Sequence, residues 1–184
     1  MSETTRPRTP IGAILAIAGG ALLVIGSFLA WAEISGGGQS ESVSGTDASD
    51  GWVTLVAGLI ALGAGIAMLR SPTRQLALAA ALAGGFGLGF GLFDALTLKD
   101  GALDSVAEET AAASGVPFQE VRTLLDVLID SGQIAIAIGI GLYVVIAGGV
   151  IAIVGAGMQI ASARTPVEGV PSAPIAAVEP DPTV

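Results

Sequence analysis

The residues that could do chemistry lie in one short stretch, GGFGLGFGLFD at 84–94. Its glycine density is typical of a loop that cradles a phosphate, and it ends in a carboxylate, Asp94. A phosphate loop needs a preceding strand and a following Gly-Lys-Ser/Thr, and neither occurs here. An acid inside an apolar run is instead a candidate proton or cation site, or an interfacial acid hydrogen-bonded to a neighbouring helix. The stretch therefore predicts a membrane helix that carries one carboxylate.

The missing residue types exclude several kinds of site. The chain has no cysteine and no histidine, so it lacks disulfides, thiolate metal sites and imidazole bases. We expect no catalytic, cofactor or metal residues, and therefore no enzyme. The formal net charge of -9 also disfavours binding to nucleic acid.

Apolar composition predicts an integral membrane protein. Hydrophobic residues make up 52% of the chain and charged residues 12%, against about 25% charged in soluble domains. A helix that crosses a bilayer needs about 20 apolar residues. Four runs meet that length, at about 11–32, 52–69, 75–97 and 134–160. The expected fold is an all-α bundle of four transmembrane helices over 11–163.

The first run has a second interpretation as a signal peptide. Arg6 and Arg8 precede it, and Ala30-Trp31-Ala32 resembles a cleavage site. Secretory apolar regions are usually about 7–15 residues long. Because this run has 22 residues, we expect an uncleaved span.

Basic residues predict the orientation, because cytoplasmic loops are enriched in Lys and Arg. Five arginines fall on one side: Arg6, Arg8, Arg70, Arg74 and Arg164. Both termini are therefore expected in the cytoplasm of a multi-pass cell-membrane protein. The loops 33–51 and 98–133 would be outside, where they carry most of the acids. Residues 1–10 and the proline-rich tail 164–184 are expected to be disordered.

Two tryptophans mark the expected outer boundary. Trp31 ends the first span and Trp52 begins the second. Tryptophan favours the membrane interface, so both are predicted interface anchors.

Small residues recur at helical spacing inside the spans. Gly84, Gly87 and Gly91 fall on one stripe of the third span. Small residues let helix backbones approach closely in lipid, so this stripe is predicted to be a helix-packing seam. Similar patterns occur in the first and fourth spans: Gly12, Ala16, Gly20, Ala137, Gly141, Gly148, Ala152 and Ala156.

Asp94 is predicted to point into the bundle near its outer end. Ser27 and Thr54 lie at comparable predicted depth in the first two spans. The three residues form a candidate intramembrane polar site.

The first loop contains alternating residues around a glycine triplet. This pattern fits a short β-hairpin between the first two spans, or a flexible Ser/Gly loop of the same composition. Asp47 and Asp50 could help to bind a divalent cation, although a solvated loop fits them better.

The second loop is predicted to be helical. Ser105 and Glu108 fit a capping box that would start a short helix ending near Ala113. Residues 117–130 form an amphipathic helix, expected on the outer membrane surface or over the bundle, with partner binding as the alternative. Acids recur every four residues at Asp100, Asp104 and Glu108. They fit either a solvated helix face or a carboxylate stripe that binds Ca²⁺ or Mg²⁺.

The first span and loop carry a family resemblance. LAWAEIS, a Ser/Gly/acid loop and DGWVTLVAGL resemble small uncharacterised four-span membrane proteins of actinobacteria, over about residues 10–70. The outline is also similar to claudin-type tetraspans, which implies a four-helix bundle with a larger first loop. The paired cysteines of that family's first loop are missing here.

These features favour a non-enzymatic membrane protein, structural or accessory, that contacts an envelope or membrane-protein partner. The bilayer and a homo-oligomer are the other expected partners. The alternative is a small transporter or channel that uses Asp94.

Overall fold

A computed structural model of the protein describes residues 10–47 and 49–162, without the side chain of Ser49. It contains five helices: α1 (Ile11–Phe28), α2 (Ser49–Arg70), α3 (Arg74–Ser114), α4 (Phe118–Asp130) and α5 (Ile140–Ser162). It also contains three strands: β1 (Ala30–Gly36), β2 (Gln39–Ser44) and β3 (Ile134–Ile138). The terminal segments expected to be disordered lie outside the described residues, apart from Pro10.

Four of the helices, α1, α2, α3 and α5, are long and apolar enough to cross a membrane. This confirms four apolar helices of spanning length, although the first ends at Phe28 and not at Ala32, because residues 30–32 belong to β1. Each packs on two neighbours, so that α1, α2, α3 and α5 form a closed ring in that order. α3 begins after Thr73, whose hydroxyl accepts a hydrogen bond from the Leu76 N–H at 3.4 Å and caps the helix.

Small residues fill the centre of this bundle, while large apolar side chains point outward. The buried positions are mainly alanine and glycine, whereas residues such as Leu82 (64% exposed) and Phe86 (61%) lie on the surface. A soluble protein would bury its large side chains instead. Lipid removes the hydrophobic drive for helix association, and close backbone packing then stabilises the bundle.

α3 is longer than its apolar run predicts. It has 41 residues, and at 1.5 Å per residue it spans about 60 Å, roughly twice the hydrocarbon thickness. The predicted capping box at Ser105 is wrong. The Ser105 hydroxyl donates to the Gly101 carbonyl at 2.9 Å in the middle of the helix. The helix ends only at Gly115, whose φ of +71° suits glycine.

The amphipathic helix α4 folds back on the far half of α3. Val121 of α4 is buried, as are Leu103 and Ala107 on α3, and the two helices are in contact. Val121 on the apolar face of α4 therefore packs against α3, whereas Leu124 on that face stays exposed, and α4 also contacts β3.

The fold is not all-α, because three strands form an antiparallel sheet in the order β2-β1-β3. The first loop folds as a hairpin that turns at Gly37 and Gly38, whose φ values are +59° and +81°. Two successive residues with positive φ fit the tight turn that joins two antiparallel strands.

The third strand corrects the start of the fourth span. Residues 134–138 were expected in a helix, but they pair with β1, with Ile34 opposite Ile136, and α5 begins at Ile140. The sequence IAIAI alternates β-branched and small residues, a pattern that suits a strand once a partner edge is available. We call residues 30–47 and 98–139 the cap subdomain; it lies at one end of the bundle.

Candidate functional site

The first part of the candidate polar site is a hydroxyl pair between α1 and α2. Ser27 and Thr54 are both fully buried, and their hydroxyl oxygens lie 2.9 Å apart. Each hydroxyl also lies within reach of a carbonyl on its own helix, that of Leu23 at 2.8 Å and that of Gly51 at 2.9 Å. Two protons thus serve three contacts, which leaves no donor for a ligand.

Asp94, the second part, contacts a different residue. Its half-buried carboxyl group lies within hydrogen-bonding reach of Asp50 in the first turn of α2. A hydrogen bond between two carboxyl groups needs a proton on one of them. The second oxygen, Oδ2, is buried and has no hydrogen-bond partner among the described residues.

The three predicted residues therefore separate into two adjacent sites. Asp50 and Thr54 lie one turn apart on α2, so the acid pair and the hydroxyl pair share the same end of the bundle. No hydrogen bond between Asp94 and either hydroxyl is present in the described part of the chain. The sequence predicted Asp50 as a residue of a solvated loop, with a cation ligand as the alternative, and its contact with Asp94 was missed.

Asp47, the other cation candidate of the first loop, is hydrogen-bonded within its own turn. Its carboxylate accepts hydrogen bonds from the Ser44 hydroxyl at 2.7 Å and the Ser44 N–H at 3.1 Å. These bonds lower the pKa of Asp47, the hydroxyl having the larger effect. Asp47 and Asp50 therefore face different partners and do not assemble one cation site.

Trp31 is buried in the protein core. Its side chain is 3% exposed and packs with Leu23, Leu142 and Val145. The indole N–H donates to the Gly26 carbonyl at 2.9 Å, at the end of α1 where helix carbonyls lack intrahelical partners. The indole N–H is therefore satisfied inside the protein, and the role of Trp31 as an interface anchor stays a prediction.

Trp52 contrasts with Trp31. It lies in the first turn of α2 and is 58% exposed. Its role as an interface anchor stays a prediction.

The predicted glycine stripe of α3 lies against the rest of the bundle. A Cβ atom on Gly84 would lie 3.0 Å from the Gly149 carbonyl oxygen, and one on Gly91 would lie 3.0 Å from Val145. One on Gly87 would lie 2.6 Å from Leu23.

α1 and α5 approach each other through paired glycines. A Cβ on Gly12 would lie 2.7 Å from the Gly155 carbonyl oxygen, and one on Gly19 would lie 2.6 Å from that of Gly148. Ala137 of the expected fourth-span pattern lies in β3 and takes no part in this contact.

A cluster of charges joins α4 to α3. Arg122 Nε donates to Asp104 Oδ1 at 2.8 Å, and its other nitrogens contact Asp126 and, at 3.6 Å, Asp100. The hydrogen bond to Asp104 is the main cause of the raised pKa of Arg122. Two acids of the predicted stripe thus bind an arginine. Within residues 10–47 and 49–162, no group of three or more acid ligands could hold a metal ion.

Comparison with known proteins does not assign the chain to a family. No protein-family model matches the chain, and no curated protein is similar enough to count as a relative. The function must therefore be argued from the bundle, the cap subdomain and the acid pair.

Proposed function

We propose that the protein is a non-enzymatic, structural or accessory component of the cell membrane, which presents its cap subdomain to a protein partner in the envelope. The observation that carries the proposal is the contrast between a bundle closed by small residues and a folded, acidic cap. The termini would be cytoplasmic and the cap outside, because the basic residues Arg70 and Arg74 flank the opposite end of the bundle.

The interior of the bundle supports a structural role. In the described part of the chain, Ser27 and Thr54 are the only buried polar residues, and each is hydrogen-bonded. Glycine and alanine contacts close the α1–α5 and α3–α5 interfaces. A transport path would need a series of polar groups along the bundle.

The charge of the cap supports a partner outside the bundle. The cap carries ten acids and two bases, a formal charge of -8. The acids are Glu33, Glu41, Asp47, Asp100, Asp104, Glu108, Glu109, Glu120, Asp126 and Asp130. Arg122 is already bound by three of them. A surface of one sign attracts partners of the opposite charge and speeds their association.

The test is purification of the full chain from its native membrane in mild detergent. We expect a protein partner at a fixed ratio to the chain. A variant with Glu41 and Glu120 changed to Gln and Asp130 changed to Asn should lose it, whereas neutralising Arg70 and Arg74 to Gln should not. A chain that purifies from its native membrane without any partner would contradict the proposal.

A small transporter or channel is the second candidate, favoured by one observation. Asp94 pairs with a second carboxyl group and keeps a buried oxygen without a hydrogen-bond partner among the described residues. Acids inside membrane spans often carry protons or ions.

Flux measurements separate the two candidates. Under the structural proposal, liposomes containing the wild-type chain show no proton or cation flux above empty liposomes, and Asp94→Asn changes nothing. A wild-type flux that disappears in a well-assembled Asp94→Asn variant would establish the transporter instead.

A further inference from the structure

The cap contains an open groove between the sheet and α4, of about 900 Å³. Ile34, Leu128 and Ile134 provide apolar side chains, while Gln39, Glu41 and Gln133 add polar ones. Its volume lies within the roughly 300–1,000 Å³ of ligand sites.

Strand register explains how one face of the sheet forms a wall of the groove. Glu41 lies opposite Ile34 on one side, and Ile136 lies opposite Ile34 on the other. Directly paired residues project to the same face of a sheet. Glu41 therefore stands beside isoleucines on the wall that faces the groove.

The exposed face of α4 extends the apolar surface. Leu124 is 62% exposed and Val127 is 61% exposed. Leu124 lies one helical turn before Leu128, which lines the groove, so the two side chains are neighbours. Glu120, one helical turn before Leu124, lies on the same side of α4 as this apolar pair.

Charge identifies the occupant. None of the residues that line the groove is basic, and the cap around it has a formal charge of -8. An anionic lipid surface would be repelled, whereas Lys or Arg beside apolar side chains would match both the acids and the isoleucines.

We propose that this groove, together with Leu124 and Val127, binds a basic amphipathic segment of a partner protein. The inference rests on the proposed function, in which the cap faces the partner. It adds the location of the contact and the chemistry of the segment.

The test uses the full chain in nanodiscs of zwitterionic lipid. The probe is a synthetic peptide with lysine on one face and leucine on the other, carrying a photoreactive group, and empty nanodiscs provide the background. We expect crosslinks, mapped by mass spectrometry, on the hairpin β1–β2 and on residues 124–134. A peptide with glutamate in place of lysine should give none.

Variants separate the groove from general charge attraction. At physiological salt, charges more than about 8 Å apart are largely screened. Glu41→Lys should weaken peptide binding at least tenfold, while Glu108→Lys, an equal charge change on exposed α3, should change it less than threefold. The double variant Leu124→Gln, Val127→Gln should also lose at least tenfold, while Val106→Gln on α3 should not.

Equal weakening of peptide binding by Glu41→Lys and Glu108→Lys would overturn the groove proposal. Tighter binding of the chain to vesicles of anionic lipid than to the peptide would also overturn it. The proposed function would fail if the wild-type chain purified without any partner. If the native partner still purifies with Glu41→Lys, the cap contacts it elsewhere, and the groove inference is wrong while the proposed function stands.

Discussion

At the scale of single residues, neighbouring glycines of α3 have opposite surroundings. A Cβ on Gly84 would lie 2.9 Å from the Ala152 Cβ and 3.0 Å from the Gly149 carbonyl oxygen, whereas one on Gly85 would meet nothing within 4 Å. Gly84→Leu should therefore force α3 and α5 apart and destabilise the bundle by about 1–3 kcal/mol. Gly85→Leu is the matched control and should not destabilise the bundle, since leucine favours a helix more than glycine does.

Thermal unfolding in detergent measures both variants. Equal melting temperatures for Gly84→Leu and Gly85→Leu would contradict the assignment of Gly84 to the seam.

The Asp47–Ser44 contact predicts a pH dependence in the first loop. Because hydrogen bonds from Ser44 lower the pKa of Asp47 in the folded state, the contact stabilises the turn above the ordinary pKa of an aspartate. That stability is lost as pH falls through the lowered pKa. Ser44→Ala should raise the pKa of Asp47 towards its ordinary value, as followed by NMR titration of the carboxyl carbon. Ser42→Ala is the control, and an unchanged pKa in Ser44→Ala would contradict the contact.

Some of the site could be predicted at this scale, and some could not. The spacing of Gly84, Gly87 and Gly91 placed them on one helix face, because helical periodicity is local. The contact between Asp94 and Asp50 depends on how α2 and α3 meet, which no local pattern reports. The burial of Trp31 could not be predicted for the same reason, since it depends on Leu142 and Val145, more than a hundred residues away.

At the scale of elements, Arg122 connects α4 to α3. Its side chain is 19% exposed and contacts carboxylates on both helices. Arg122→Met should speed amide hydrogen exchange across Phe118–Asp130 and leave α5 unchanged, because α4 loses its charged contacts while the bundle keeps its glycine packing. High salt should partly reproduce this effect in the wild type. Lys99→Met is the control for losing one cation, and unchanged exchange in Arg122→Met would show that apolar packing alone holds α4.

Apolar runs predicted the four helices of membrane-spanning length well, because a segment that crosses lipid must satisfy its own backbone. They failed where an element leaves the bundle. Residues 98–114 continue α3 although they are polar, since α4 supplies the burial that lipid does not. Residues 134–138 are apolar but form β3, since β1 offers an unpaired edge. Both outcomes depend on tertiary contacts.

At the scale of the whole molecule, the orientation is open to a direct test, because the chain has no native cysteine to remove. Single cysteines at Ser42 in β2 and at Ser114 at the end of α3 should react with an impermeant maleimide on intact cells. A cysteine at Ser71, between α2 and α3, should react only after permeabilisation. All three positions are exposed in the structure. Labelling of Ser71→Cys alone on intact cells would reverse the topology.

The contact between α1 and α5 also sets an order for biosynthesis. Gly19 meets Gly148, and β1 pairs with β3, so the first span and the strand after it are completed by the last part of the chain. At translation rates of about 5–20 residues per second, α1 waits on the order of ten seconds for this neighbour. During that interval its glycine face is open to other helices in the membrane. A nascent chain stalled before α5 is thus the form most exposed to wrong pairing and to quality-control proteases.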